Sequence, residues 1–407
     1  MTLGTTVLIA ALAILVVWAA VLLAYRDSLR RLWREPMLRD SVVIIESDDW
    51  GPGPAGHVEG LTAIIDTLKG FQDSAGRHPV MTIGLILGIP DAAALREHGL
   101  DRYRRITLDD PRYRSLLETL NHGAQQGALS LQLHGLEHLS PTSFMKMAED
   151  PQGEVRQWLE EGDGSDTETL PSHLQSRWID STKLPSGAIE PAEIQSAVRE
   201  EMATYARIFG APPEVVVPPT FIWNAEVERQ WAQHGARIVV TPGRRYTGRN
   251  ARGQPAGIDR TMLNGEAGEG GATYVVRDIY FEPSYGHRAE PTLEAIRKHH
   301  QLGRPALLET HRFNFIGDEE KREHALQETR NLLAAVLREF PTVRFIDTAT
   351  LGRAFRERDP SLLITHTSAR FHLWVRRLAS INRLRKLAWL TGLALPAALL
   401  YRLTRPV

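Results

Sequence analysis

Three places in this chain put metal-ligating or proton-transferring side chains directly after an apolar run. Asp48 and Asp49 follow the run at 42–46, His134 and His138 follow 129–133, and His311 follows 306–309. His134 and His138 are four positions apart, so both imidazoles can serve one ion if the turn between them is helical. Two histidines and one carboxylate leave positions open for water, as a hydrolytic zinc site requires. Adjacent carboxylates at a buried strand end repel each other unless a cation or proton intervenes. The conflict disappears if one binds a divalent metal and the other takes a proton from water. A helix N-cap would explain only one of the two. His311, titrating near neutrality, suits protonation of a poor amine leaving group.

The elements that must position these groups alternate. β-rich runs are expected at 42–46, 80–87, 128–133, 214–217, 236–240, 273–281, 306–309 and 343–346. Helical patterns at 58–71, 112–126, 191–209, 225–234, 291–301 and 319–340 fall between most of them. Continuous apolar strands separated by amphipathic helices predict a parallel sheet covered on both faces. Seven or eight such repeats predict a distorted α/β barrel of seven or eight strands, the (β/α) barrel of glycoside hydrolases and deacetylases, rather than an open nucleotide-binding sheet. No GxGxxG or Walker-type loop follows the first strand. In such a barrel functional groups gather at the C-terminal ends of strands, and four runs here end in polar residues, the fourth entering Pro218, Pro219, Thr220 and Phe221. Two stretches break the rhythm: 149–187, read as a long insertion or lid, and the Gly- and Arg-rich 243–271, read as a loop.

The ends differ from the middle. Residues 3–25 carry no charged side chain and are long enough, at ~1.5 Å per residue, to span a bilayer. The stretch lacks the basic start and small-residue cleavage site of a signal peptide, so residues 1–25 are read as a transmembrane anchor. Arg26, Arg30, Arg31, Arg34 and Arg39 make 26–40 a basic juxtamembrane linker. Under the positive-inside rule they place the main domain, 41–350, on the cytoplasmic side of a bacterial-type inner membrane, with the periplasm as the alternative. The tail, 370–407, is basic and then apolar; its stretch at 387–401 is short for a span and suits contact with membrane lipids at the interface. At 407 residues, 43% hydrophobic and with net charge −1, the chain is globular and shows no nucleic-acid footprint. Without cysteine it has neither a thiolate nucleophile nor a zinc–thiolate cluster.

The order Ser47-Asp48-Asp49, His134 to His138, Pro218-Pro219 and Leu307-Leu308-Glu309-Thr310-His311 resembles the polysaccharide deacetylase family (carbohydrate esterase family 4, NodB-homology domain) over roughly 41–347. The resemblance implies that Asp49, His134 and His138 bind the metal, Asp48 is the catalytic base and His311 the general acid. It implies removal of an N-acetyl or other small N-acyl group from an amino-sugar saccharide, with Pro218 and Pro219 in the groove wall. Trp50, Phe221 and Arg312, on the same rim segments, join Asp278 in the expected substrate-contacting set. The family's arginine before the third-motif prolines is replaced by Val217, leaving Arg277 or Arg312 as substitutes. Asp278 is the nearest candidate for the aspartate that supports the acid histidine. A cytoplasmic domain would meet a lipid-linked or nascent saccharide at the membrane surface. The alternatives are a glycoside hydrolase, which needs two carboxylates across a sugar ring, and an inactive carbohydrate-binding homologue.

Overall fold

The computed structural model describes residues 3–161 and 164–404. Positions 1–2 and 405–407, at the extremes of the expected anchor and tail, and 162–163 of the insertion lie outside them. The barrel strands are β1 (Val42–Trp50), β2 (Met81–Ile86), β3 (Leu129–Gly135), β4 (Val215–Val216), β5 (Ile238–Thr241), β6 (Thr273–Val276), β7 (Ile279–Tyr280), β8 (Ala306–His311) and β9 (Arg344–Phe345). Their order is β6-β5-β4-β3-β2-β1-β8-β7, with β9 beside the start of β1, and all pairings are parallel. The two ends of this sheet, β6 and β7, are consecutive in the chain. One run, broken only at Arg277 and Asp278, pairs with β5 through its first half and β8 through its second. This run bridges the sheet's ends, which is the distortion of the barrel.

The strands are apolar on both faces because the barrel interior lies on one side and helices on the other. Ile44, Ile83 and Leu307 are fully buried, each contributing roughly 1.5–3 kcal/mol of transfer free energy. The expected helices form at His57–Lys69, Arg114–Gln125, Pro191–Phe209, Ala225–Gln233, Ala289–Gln301 and Glu319–Glu339. Asn224 opens the fourth, its side chain accepting from Val227 N at 3.0 Å.

One loop expectation is corrected. Within 243–271 an antiparallel hairpin forms, Arg244–Arg249 on Pro255–Thr261. Arg245 pins it to the barrel, donating to Glu228 at 3.0 Å and Asp259 at 2.9 Å. The insertion 149–187 contains a helix, Glu154–Glu161, and short 3₁₀ turns. It is tied to that hairpin where Arg249 Nε donates to Ser176 Oγ at 3.0 Å.

The ends are α1 (Leu3–Ala24), α2 (Arg26–Arg34), α3 (Thr367–Ala379), α4 (Asn382–Leu390) and α5 (Ala394–Leu403). Helix α1 is the one helix among the described residues long and apolar enough to cross a membrane. Within 26–40, α2 buries Leu32, and Met37 and Leu38 lie in the core.

Candidate metal centre and proton-transfer groups

Successive residues of a strand point to opposite faces, so Asp48 and Asp49 cannot both reach one site from a regular strand. The register between β1 and β2 shifts between Ser47 and Trp50, and Asp49 has φ 70°. This bulge re-aims the second carboxylate towards the rim. A matching irregularity lies across β2: Leu85 pairs with Leu133 but Ile86 with Gly135, which leaves His134 as the extra residue. The bulge needs tight backbone approach. A Cβ on Gly51, at φ +147°, would stand 1.8 Å from Ile86 O, and one on Gly84 would stand 2.2 Å from Asp48 Oδ1.

Asp49, His134 and His138 meet at the rim, their donor atoms within 4.8 Å of one another. Asp49 Oδ1 lies 3.3 Å from His134 Nε2 and 3.4 Å from His138 Nε2. The segment after β3 is a non-helical turn, so the histidine pair does not meet through a helical turn. The bulge at His134 brings the rings together instead, with centroids 5.2 Å apart.

His134 Nδ1 lies 2.9 Å from Val217 O, which can only accept, so Nδ1 carries the proton. In the neutral ring Nε2 then aims a lone pair at a carboxylate oxygen. Asp49 Oδ1 and His138 Nδ1 are buried without a hydrogen-bond partner. Zinc bonds of about 2.0–2.1 Å at tetrahedral angles put ligand atoms roughly 3.3 Å apart, which the Asp49–histidine distances match. The donor set therefore fits a divalent ion, and Val217 fixes one ring's tautomer as metal sites commonly require.

Asp48 lies beneath, buried, and belongs to a different cluster. Arg277 extends into the barrel between β6 and β7 and donates to Asp48 Oδ2 at 2.5 Å, Glu46 Oε2 at 2.7 Å and Glu309 Oε2 at 3.2 Å. Thr348 donates to the other oxygen of Glu46. Burial pushes the Asp48 carboxyl up, but Arg277 and then His134 outweigh it and hold it below the usual range. Burial raises Glu46 and Glu309 despite the same guanidinium. Asp48 Oδ1 keeps no partner. Of the two arginines considered in place of Val217, Arg277 is the one that touches Asp48, whereas Arg312 donates to Glu168.

At the opposite wall His311 Nδ1 pairs with Glu282 Oε1 at 2.6 Å, and Glu282 is itself held by Asn314 and Thr310. Burial lowers the His311 pKa, but the bond to Glu282 and the charges of Asp49 and Asp48 raise it to about 10.

The other expected site residues divide. Asp278 is not at the site: it is 46% exposed and faces His299 at 3.4 Å. In an alternating strand Arg277, Ile279 and Phe281 face inward, so Asp278 faces out; the place beside His311 belongs to Glu282. Trp50 is fully buried, its indole N–H on Ser47 Oγ at 2.8 Å, and cannot touch a substrate. Pro218 and Pro219 are buried, and Phe221 lies under Arg277 at 5.2 Å, so all three support the site from behind. Arg312 lines the cleft, donating through Nε to Glu168 of the insertion at 2.8 Å.

That cleft, about 320 Å³, exposes Asp49, His138 and His311. The insertion contributes Thr167, Glu168, Ser172 and Gln175 to its wall. On the other side the Phe313 ring stacks on His311 at 5.7 Å and meets Tyr285 at 4.8 Å. Glu282, Glu168, Phe313 and Tyr285 were not anticipated. Glu282 lies past the end of β7, where strand alternation no longer applies, and no local pattern marked it.

No known family matches the sequence, and no curated protein is similar to it. Solved structures similar to the chain include a peptidoglycan deacetylase from Bacillus subtilis, 11% identical, TM-score 0.37, covering 79% of this chain and 94% of that one. Another is a family 4 carbohydrate esterase from Streptomyces lividans in complex with acetate, 10% identical, TM-score 0.33, covering 78% and 96%. A third is a 4-alpha-glucanotransferase from Thermococcus litoralis, 10% identical, TM-score 0.40, covering 77% and 40%. At this level of superposition the likeness adds nothing to the geometry above.

Proposed function

We propose that this chain is a metal-dependent hydrolase, with zinc as its metal, that removes an N-acetyl or other small N-acyl group from an amino-sugar-containing saccharide. The observation that carries it is the separation of three roles at one rim. Donor atoms of Asp49, His134 and His138 converge, Asp48 is fixed by Arg277, and His311 is fixed by Glu282.

Asp49, His134 and His138 would hold the ion. When bound, a divalent cation supplies Lewis acidity, lowering the pKa of water towards about 7 and polarising a carbonyl oxygen. Asp48 is kept ionised by Arg277, whose bond to Oδ2 leaves Oδ1 able to accept a proton from the attacking water. His311, cationic at neutral pH, presents Nε2 because Nδ1 is committed to Glu282. It gives its proton to the amide nitrogen as the C–N bond breaks, so the free amine and a carboxylate leave. The exposed Tyr285 ring and the half-buried Phe313 ring offer apolar faces for a sugar ring. Glu46, Asp48 and Glu309 share one guanidinium instead of flanking a cleft, which disfavours two-carboxylate glycoside hydrolysis.

The test is metal content together with acetate release from N-acetyl amino-sugar oligomers. Asp49→Ala and His134→Ala should lose the metal and the activity together. Stoichiometric metal in Asp49→Ala would overturn the ligand assignment, and a metal-loaded wild type inert on amides would overturn the reaction.

A further inference from the structure

The barrel end opposite the cleft carries a second built surface. Helix α1 has no buried residue. It enters α2 through Tyr25 without an extended break: Tyr25 N donates to Val21 O at 3.1 Å and Leu29 N to Tyr25 O at 2.9 Å. Helix α2 is then clamped by α3. Trp33 packs edge-on against Trp374 at 5.8 Å, whose indole N–H donates to Leu29 O at 2.9 Å. Below them the buried Arg377 donates to the carbonyls of Glu35, Pro36, Leu302 and Gly303 at 2.8–3.1 Å. Leu302 and Gly303 precede β8, so this clamp grips the end of the barrel where strands begin.

The chain then forms a helical hairpin, α4 and α5, beside α1. Trp18, within the apolar helix, donates its indole N–H to Thr391 O at the hairpin turn, 2.8 Å away. The hairpin leaves Trp389 70%, Leu390 83%, Leu395 71%, Leu399 60% and Leu403 73% exposed. Helix α5 has 10 residues, about 15 Å, half of what a bilayer core requires. Arg383, Arg385 and Lys386 of α4 are exposed, and no acidic residue follows Asp359 in the chain.

We propose that α1 and the α4–α5 hairpin form one docking platform for a bilayer with anionic headgroups, on which the barrel stands with its cleft facing away. Helix α1 spans the bilayer, and the hairpin lies in the interface beside it. The occupant is a lipid surface because the apolar face is continuous with α1 and the charge on the hairpin is of one sign. From Val42 to Asp48 the strand runs roughly 20 Å at ~3.3 Å per residue, about 15 Å of wall height at the usual ~40° strand tilt. The site therefore addresses saccharide standing off the membrane, and a sugar borne directly on a lipid of the same leaflet falls short of it. This placement stands whether or not the amidase reading holds.

The chain contains no cysteine, so single introduced cysteines are clean reporters. Spin labels at Leu390→Cys, Leu399→Cys and Tyr285→Cys in the full chain, reconstituted in phosphatidylcholine–phosphatidylglycerol vesicles, are probed with oxygen and a water-soluble nickel chelate. The labels at 390 and 399 should favour oxygen several-fold over the label at 285, and Arg383→Glu, Arg385→Glu and Lys386→Glu together should reduce that preference. Chelate access at 390 and 399 equal to that at 285 would overturn the platform. Shielding of 390 and 399 from both reagents, as under a protein partner, would overturn it too. An oxygen-preferring label at 285 would overturn the orientation.

Discussion

Two buried arginines stand at opposite ends of this barrel, and their surroundings differ in kind. Arg377, at the strand-start end, meets neutral carbonyls and Glu35, and its nitrogens are all engaged. Arg277, beneath the rim, meets three carboxylates, and an oxygen of Asp48 is left unpartnered there. Full satisfaction fixes a position and does nothing more. One cation among three acids holds a specific charge in place and leaves an acceptor in reserve. The first pattern is that of a clamp, and the second is the one that the proposed proton transfer by Asp48 uses.

The comparison breaks first at Asp48. Asp48→Asn should retain stoichiometric metal and lower kcat for amide hydrolysis by about 10²–10⁴-fold, the range of a proton-transfer group; undiminished turnover would remove its role. Next comes the arginine pair itself. Arg277→Met strands three buried carboxylates, and Arg377→Met strands several carbonyls, so each should lose about 3–5 kcal/mol in denaturant unfolding. Only Arg277→Met should alter catalysis: with its main opposing charge gone the Asp48 carboxyl rises, and the acidic limb of the rate profile moves to higher pH. A metal-loaded Arg377→Met enzyme with altered kcat would erase the distinction.

The smallest expected effect lies at Glu282. Glu282→Gln removes the bond that raises His311 to about 10, so the alkaline limb should move down by roughly 1–3 units. In the wild type the His311 pKa is raised above the ordinary imidazole value of about 6.5. The pair therefore stabilises the fold fully below that pH and loses its contribution as pH rises through about 10. Unfolding free energies followed across that window should decline in the wild type and stay flatter in Glu282→Gln.

How much of this was legible from the chain depends on the range of the interaction. Strand runs, helix patterns and the long apolar helix follow from local composition and period, and they appear within a few residues of expectation. Asp49, His134 and His138 could be singled out because their ligand chemistry and strand-end placement are local facts. Trp50 could not, because whether an aromatic after a strand faces the cleft or the core depends on the bulge before it. Asp278 and Arg277 were adjacent candidates, and the phase set by Ile279 and Phe281 would have separated them. Glu282 has no sequence neighbour that marks it as the partner of His311, 29 positions away.

By itself, then, the sequence determined the alternation that makes a parallel barrel, the donor residues at its strand ends and the apolar helix at its start. The tertiary structure decided which polar groups meet: Arg277 with Asp48, Glu282 with His311, and Trp18 with the tail hairpin. Period and propensity act along a few consecutive residues, whereas a buried charge takes its partner from whatever the fold brings within about 3 Å. Strand phase, bulge and barrel closure set that distance, and none of them is a property of a single segment.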